Sequence, residues 1–373
     1  MWDVIAEAFS GLEHATDLPN VWHYAAMLSL LTDDPNLKVK MLSKWIPEHE
    51  GSAQLDCEEI IARILKADSL STSLRESIER LDVSDYARLT LVWRYNSFGH
   101  HTDTNALCMY DITSMMAHSC GSTGVWHFGS NDSFCLRARV ALNQGDEITI
   151  SYLSDDDLFK STSVRRQKSQ GWLFSCNCVR CTSSDSCSID YSRGFRCPTC
   201  TVGTVFVSPQ DEMSPCCSCA SKLSPDLVKH YLELEPLYAD RLACTEKDDL
   251  DDVQAVLTEA RNLFSDNHWI MYGLDSMVCD HLKKANDNSG AKIDVLQRRL
   301  SFLTRTFPMA NYTTGWLLEE IGDWYIAEGS RAVAESFYER AYWTLRIMCG
   351  PDHPFTEGVQ TKWDSTLEQK SYA

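Results

Sequence analysis

Apolar side chains recur at helical spacing through residues 1–95, and this pattern predicts helices there. Ser84 and Asp85 stand where the N-cap of one helix is expected, just ahead of Leu89 and Leu91. We interpret the apolar stripes as core and assign them no chemistry. They are clearest in two runs: Ile60, Ile61, Ile64 and Leu65, then Leu74, Ile78 and Leu81.

Residues 96–155 change to a strand pattern. Residues 134–140 alternate apolar and polar side chains, and residues 143–146 predict a turn that contains a glycine. Residues 148–152 are rich in β-branched side chains and predict a second strand that ends at Tyr152.

From about Ser224 to the end, the pattern predicts helices only. One stretch has the spacing of a tetratricopeptide repeat, in which small residues let two antiparallel helices approach closely. An ordinary helical hairpin is the alternative interpretation. The residues at the repeat positions are Leu318, Ile321, Gly322, Tyr325, Ala334, Tyr338 and Ala341.

The charge balance narrows the classes of partner. Lys plus Arg is 34 and Asp plus Glu is 53, so the formal net charge is −19. A chain this acidic repels phosphate backbones, which disfavours nucleic acid, and it attracts basic protein segments such as lysine-rich tails. Solubility alone is an equally good reason for the charge.

The sequence also predicts the compartment. No apolar run reaches the roughly 20 residues of a membrane span, and the first residues lack the basic and apolar stretches of a signal peptide. We therefore expect an intracellular protein, in the nucleus or the cytoplasm. Sixteen cysteines in a reducing compartment indicate thiols or metal ligands rather than disulfides.

A first cysteine motif, C-x-C-x2-C, is formed by Cys176, Cys178 and Cys181. Three such thiolates can reach one ion, and a structural zinc site takes four ligands in a tetrahedron. The fourth must come from elsewhere in the chain. Cys120 is the first candidate and Cys187 is the second.

A second motif consists of two C-x2-C knuckles separated by fifteen residues. This spacing predicts a zinc ribbon with Cys197, Cys200, Cys216 and Cys219 as ligands. Cys217 could replace Cys216, with poorer knuckle geometry. Free structural thiols are the alternative interpretation.

The order of the motifs resembles the C-terminal half of a SET domain. It runs from Asn96-Ser97-Phe98, through Ala117-His118-Ser119-Cys120, to the segment 145–152. The following Arg165-Arg166, Trp172-Leu173-Phe174 and C-x-C-x2-C look like the post-SET segment. The nearest family is the SET and MYND domain lysine methyltransferases, and their helical, tetratricopeptide-like C-terminal domain is similar to residues 225–373.

This resemblance implies transfer of a methyl group from S-adenosylmethionine to a lysine side chain of a protein, with histones among the substrates. Tyr152 would be the catalytic tyrosine that orients the amine. Trp172 and Phe174 would wall the lysine channel and cover the cofactor. His118, Asn96 and Ser114 would be further cofactor contacts, and Cys120 would be the fourth zinc ligand.

Each of these residues also has an ordinary interpretation. Tyr152 could be an aromatic residue that ends a strand, and His118 could be a buried, hydrogen-bonded histidine. Trp172 and Phe174 could simply pack over the cysteine loop.

Three features depart from the family pattern. Gly11 and Gly51 are the only glycines before Gly99, so the Gly-x-Gly strand that begins the family's SET domain looks absent, as does its MYND finger. Ala117 stands where the family has an asparagine that hydrogen-bonds the cofactor, and alanine can neither donate nor accept. Ser122-Thr123 replaces the family's Pro-Asn.

These observations predict an α+β fold in four parts. Residues 1–95 resemble the helical SET insert, and residues 96–155 resemble the C-terminal half of a SET domain. Residues 156–223 form a post-SET and zinc-ribbon segment, and residues 224–373 form a tetratricopeptide-like helical domain. The expected function is S-adenosylmethionine-dependent lysine methylation, with truncation or impairment of the enzyme left open by the three departures. The alternative is an inactive zinc-binding scaffold that binds a partner peptide through its C-terminal helices.

Overall fold

The computed structural model describes residues 20–32, 34–46, 53–66, 70–100, 102–103, 106–129, 132–182, 189–245, 249–286 and 289–368. The chain divides into two compact units, residues 1–117 and residues 118–373. None of the helices in these described ranges is both long enough and apolar enough to cross a membrane.

Helices dominate the described part of the first unit, as the apolar spacing predicts. Helix α5 (Val83–Asn96) packs against α1 (Asn20–Leu30) and α3 (Ala53–Ile64) around the fully buried Met27, Ile60 and Leu89. The first strand within the described residues is β1, which pairs antiparallel with β2. The elements are α1 (Asn20–Leu30), α2 (Pro35–Leu42), α3 (Ala53–Ile64), α4 (Thr72–Glu79), α5 (Val83–Asn96), β1 (Phe98–Gly99) and β2 (Leu107–Cys108).

The predicted cap of α5 is wrong by two residues. Asp82 is the N-cap, and its carboxylate accepts hydrogen bonds from the backbone N–H groups of Ser84 and Asp85. A capping residue must itself be non-helical, and Asp82 is extended, whereas Ser84 and Asp85 already lie in the first turn.

The second unit begins with an antiparallel hairpin of β3 (Gly124–Phe128) and β4 (Phe134–Ala138). Strand β4 lies within the predicted 134–140 strand. The predicted strand at 148–152 is wrong, because its one ladder contact is a parallel bridge between Ile150 and His118. Three short helices follow, α6 (Asp155–Leu158), α7 (Thr162–Ser169) and α8 (Val179–Thr182), with a 3-10 turn at Gln170–Trp172.

A three-stranded sheet joins the cysteine-rich segment to the C-terminal helices. Strand β5 (Asp190–Arg196) lies between β6 (Thr204–Val207) and β7 (Phe264–His268), and both pairings are antiparallel. Strand β7 corrects the prediction of helices only after Ser224. The sheet forms there because Phe264 and His268 are buried against the fully buried Phe195 of β5.

Within the described residues, seven helices complete the second unit and share one core with the cysteine loop. Helices α13 and α14 form the hairpin that carries the repeat-like positions. Leu318, Ile321, Ala334, Tyr338 and Ala341 are buried in it. The helices are α9 (Pro225–Cys244), α10 (Leu250–Ala260), α11 (Trp269–Lys284), α12 (Gly290–Thr306), α13 (Tyr312–Ala327), α14 (Arg331–Cys349) and α15 (Pro354–Glu368).

Candidate active site and metal centres

The backbone around Tyr152 is held by a loop rather than by a sheet. The N–H of Ser119 donates to the carbonyl of Ile150 at 3.0 Å, and the N–H of Gly124 donates to the carbonyl of Thr149 at 2.9 Å. The N–H of Tyr152 donates to Nδ1 of His118 at 3.0 Å. These partners come from the 118–124 loop, so its conformation fixes the position of Tyr152.

Aromatic rings surround Tyr152. Its ring centroid lies 5.6 Å from that of Trp172 and 6.2 Å from that of Phe174, and the His118 ring lies 5.3 Å away. All four rings are partly buried. Burial raises the pKa of Tyr152, so its phenol stays protonated at neutral pH.

Leu173 links the two aromatic side chains on the cysteine side of this group. Its backbone is left-handed, with φ 59° and ψ 29°, and its N–H closes the 3-10 turn by donating to the carbonyl of Gln170. This conformation is unusual for leucine, and the residue is 52% exposed. The turn directs the chain from Trp172 through Phe174 into the first cysteine motif.

The first cysteine motif gathers with Cys120. The sulfurs of Cys120, Cys176, Cys178 and Cys181 all lie within 4.8 Å of one another. Cys120 Sγ is 3.8 Å from that of Cys176 and 3.6 Å from that of Cys181. The hydrogen bond that Cys120 donates to Cys176 lowers the pKa of Cys176 and raises that of Cys120, so Cys176 is the more readily ionised thiol of this pair. Cys187, the second candidate for the fourth ligand, lies outside the described residues.

Arginines hold this quartet from outside. The fully buried Arg165 places Nη2 3.8 Å from Cys181 Sγ and 2.9 Å from Thr162 Oγ1. Arg166 donates to the carbonyl of Cys181 at 2.8 Å, and Arg180 donates to that of Cys120 at 3.4 Å. Positive charge beside a cluster of thiolates stabilises their ionised form.

The second quartet consists of the predicted ribbon cysteines. The sulfurs of Cys197, Cys200, Cys216 and Cys219 also lie within 4.8 Å of one another. Cys197 Sγ is 3.7 Å from that of Cys219, and Cys200 Sγ is 3.7 Å from that of Cys216. Cys217 is exposed and stands outside the quartet, where it accepts the N–H of Thr204.

The two ribbon knuckles repeat one backbone geometry. Thr201 and Ala220, each directly after the second cysteine of its knuckle, are left-handed, with φ 59° and 57°. Their N–H groups donate to the carbonyls of Cys197 and Cys216, the first cysteine of each knuckle. In addition, the N–H of Gly203 donates to Cys200 Sγ at 3.3 Å. Two matching turns that aim sulfurs at one point are what a shared ion requires.

Sulfur spacing tests whether zinc fits these quartets. Four sulfurs at the corners of a tetrahedron, each about 2.3 Å from a central ion, lie about 3.8 Å apart. Two sulfur pairs in the first quartet, at 3.8 and 3.6 Å, and two in the second, both at 3.7 Å, match that value, and the other pairs lie within 4.8 Å. Both quartets could therefore hold zinc.

Two predicted cofactor contacts lie in the first unit. The side-chain amide of Asn96 donates to the carbonyls of Trp45 at 2.8 Å and Val92 at 3.0 Å, so a cofactor contact would have to use its carbonyl oxygen. The buried Oγ of Ser114 has no hydrogen-bond partner among the described residues, so it fits a role in binding a polar ligand. Ala117 is exposed.

The Ser122-Thr123 pair, which departs from the family pattern, stabilises its loop through its hydroxyls. Ser122 Oγ donates to the carbonyl of Gly124 at 2.9 Å and accepts from the buried Arg139 at 3.2 Å. Thr123 Oγ1 accepts the N–H of Thr149 at 2.9 Å. Hydrogen bonds of Ser122 and Thr123 therefore stabilise the loop that holds Tyr152, although the family's Pro-Asn is replaced there.

Sequence reasoning named one contributor to this site in a different role and gave no role to a second. The resemblance placed His118 against the cofactor, partly through its backbone, whereas its side-chain nitrogens lie against Cys120 and Tyr152 of this chain. Arg165 was noted only as part of a motif. The sequence did contain a signal for Arg165. It lies eleven residues before three clustered cysteines, where a positive charge can serve as the counterion of their thiolates.

Comparison with known proteins defines the class. A SET domain model matches residues 27–153, a range that includes most of the helical first unit and ends just after Tyr152. The chain therefore contains a SET domain. It is also weakly homologous to two SET and MYND domain-containing proteins of Dictyostelium discoideum.

The first of these relatives is 28% identical over 115 residues, which is 28% of this chain and 33% of the relative. The second is 25% identical over 172 residues, which is 39% of this chain and 32% of the relative. The chain spans about a third of the length of each relative.

Proposed function

We propose that this chain is a SET-type protein-lysine N-methyltransferase that uses S-adenosylmethionine, with histones as the first substrates to test. The observation that supports this best is that the rings of Trp172 and Phe174 lie within 6.2 Å of the Tyr152 ring, beside a cysteine quartet. The SET domain match supports it at the level of the family.

The aromatic walls would prepare the lysine. Free lysine has a pKa near ~10.4, and its amine must lose a proton before it can attack a methyl group. Trp172 and Phe174 offer apolar faces that disfavour the ammonium form by desolvation, which lowers the lysine pKa. S-adenosylmethionine supplies the methyl group when bound.

Tyr152 would orient the amine. Burial keeps the Tyr152 phenol protonated. Its hydroxyl oxygen can therefore accept a hydrogen bond from the lysine amine without taking a proton from that amine. The backbone of Tyr152 is fixed to His118, so the hydroxyl is carried on a rigid support. Rigid orientation of the reactants is a large part of the rate enhancement in such transfers.

The test is methyl transfer from labelled S-adenosylmethionine onto histones and lysine-rich peptides. We expect incorporation with the natural chain and a loss of about 100-fold in kcat for Tyr152→Phe, because orientation of the amine is lost. Tyr191→Phe changes a 42% exposed tyrosine far along the chain and should leave the rate unchanged. Absence of S-adenosylmethionine binding in calorimetry at millimolar ligand would refute the proposal.

A second candidate function is a catalytically inactive scaffold. Ala117 in the motif before His118 and the use of both Asn96 amide hydrogens within the first unit favour it. In this case the zinc sites would be structural, and the tetratricopeptide-like helices after Ser224 would bind a partner peptide. Methyl transfer onto any protein would exclude this candidate.

A further inference from the structure

The His118 side chain lies between a proposed zinc ligand and the backbone of the proposed catalytic tyrosine. Nδ1 accepts the N–H of Tyr152 at 3.0 Å, and Nε2 lies 3.4 Å from Sγ of Cys120. The ring is partly buried and also packs against Phe174, with centroids 5.7 Å apart. The histidine is therefore held on both of its nitrogens.

The first contact fixes the tautomer. A nitrogen that accepts a backbone N–H carries no proton of its own, so the ring proton of a neutral His118 is on Nε2. That N–H is directed at Cys120 Sγ, and a thiolate is a good acceptor for it. Groups that hydrogen-bond metal ligands orient them and tune their affinity for the metal.

We infer that His118 is a positioning residue that joins the first cysteine quartet to Tyr152. It donates from Nε2 to Sγ of Cys120, which would be a thiolate when the quartet holds zinc, and accepts at Nδ1 from the Tyr152 backbone. The consequence for catalysis rests on the proposed function, but the two hydrogen bonds do not. With zinc bound, the quartet would hold His118 and, through it, the backbone that carries the Tyr152 phenol.

Replacing His118 by Asn or by Gln tests its two hydrogen bonds one at a time. In His118→Asn, the side-chain oxygen can occupy the place of Nδ1, while nothing reaches Cys120. In His118→Gln, the longer amide can place its N–H near Cys120, while the acceptor for Tyr152 is lost. His230 is exposed on α9, so His230→Asn and His230→Gln are matched controls.

The readouts are zinc retention against a chelator, amide hydrogen exchange at Tyr152 and methyl transfer. For His118→Asn we expect zinc affinity at one site to fall about 10- to 100-fold, with the Tyr152 amide still protected. For His118→Gln we expect zinc retention near the natural value, faster exchange at Tyr152, and a kcat about 10- to 100-fold lower with KM little changed. Both control variants should match the natural chain.

Equal losses in every readout for both His118 variants would mark a merely structural histidine and overturn the inference, and so would no change in either variant. If the natural chain transfers no methyl group, the proposed function fails while zinc retention and amide exchange still decide this inference. Should the variants fail to fold, NMR of the natural zinc-loaded protein decides it. We expect the Nε2–H tautomer of His118, and the Nδ1–H tautomer would overturn the inference.

Discussion

His23 is a fully buried histidine in the helical first unit. Its Nδ1 lies 3.8 Å from Cys57 Sγ and 3.5 Å from Thr90 Oγ1, both of which are also fully buried. Burial lowers the pKa of His23 to about 4 and raises that of Cys57 to about 12. The pair is therefore a neutral thiol beside a neutral imidazole, and it lacks the thiolate of a cysteine nucleophile.

Acid should destabilise the first unit through His23. His23 takes up a proton near pH 6.5 in the unfolded state but only near pH 4 in the folded state. The contribution of neutral His23 to the free energy of unfolding is therefore present above pH 6.5 and is lost as pH falls towards 4. Between pH 7.5 and pH 5 the loss is about 2 kcal/mol. Urea unfolding at the two pH values measures it, and His23→Gln should show a smaller difference. An equal pH difference in natural chain and variant would contradict this.

At this scale the sequence indicates which residues matter better than it indicates how they act. The spacing of cysteines pointed to Cys176, Cys178 and Cys181 and to the four ribbon cysteines, but it could not supply the fourth ligand of the first quartet, for which Cys120 and Cys187 were both candidates. It could not indicate that the His118 ring faces its own chain on both sides, because that depends on the 150–152 segment crossing the 118–124 loop. Such a crossing leaves no periodic signal.

Among the elements, the α13–α14 hairpin shows how closely two helices can approach. Gly322 lies against the ring of Tyr338, and a Cβ on Gly322 would come within 2.6 Å of that ring. Tyr338 is buried and donates to Asp323 Oδ1 at 2.8 Å, which restricts its movement. The small residue is required by packing across the pair.

Gly322→Ala should therefore lower the free energy of unfolding by about 1–3 kcal/mol, because the ring must shift to make room. Gly358→Ala is the matched control in helix α15, where an added Cβ meets nothing within 4 Å. That change should stabilise by about 0.5–1 kcal/mol through helix propensity. Thermal or urea unfolding compares the two, and equal effects would show that the close approach is unimportant.

The two quartets make a stoichiometric prediction. Metal analysis of the purified natural chain should find about two zinc ions. Cys216→Ser should reduce this to about one, because its sulfur lies in the ribbon quartet, whereas Cys217→Ser should leave it unchanged. A zinc content near zero in the natural chain would refute both sites.

Local pattern also explains why β7 was not predicted. Its sequence, Phe-Ser-Asp-Asn-His, has three central polar residues and lacks β-branched side chains, so only Phe264 is typical of a strand. The strand exists because β5, about seventy residues earlier, offers an edge and a buried Phe195. Pairing at such a distance along the chain cannot be read from neighbouring residues.

The whole molecule is strongly acidic, with a formal net charge of −19. A lysine-rich substrate would be attracted over distances limited by the Debye length, about 10 Å at 0.1 M salt. Such attraction acts on encounter more than on the chemical step.

Salt should therefore weaken the reaction with basic peptides selectively. Between roughly 0.05 and 0.3 M salt, kcat/KM for a lysine-rich peptide should fall several-fold with kcat nearly constant. A peptide with one lysine and no net charge is the control, and its kcat/KM should barely change. The same salt dependence for both peptides would indicate that the acidity serves solubility alone.

The arginines around the first quartet have a consequence for the order in which metal is lost. Four thiolates around a divalent ion leave two net negative charges, which are costly to bury without countercharge. Arg165 supplies such charge inside the protein, while the ribbon opens Cys219 to water. An oxidant or chelator can thus attack the ribbon first. Damage there would leave the residues around Tyr152 in place until the shielded first quartet also loses its metal.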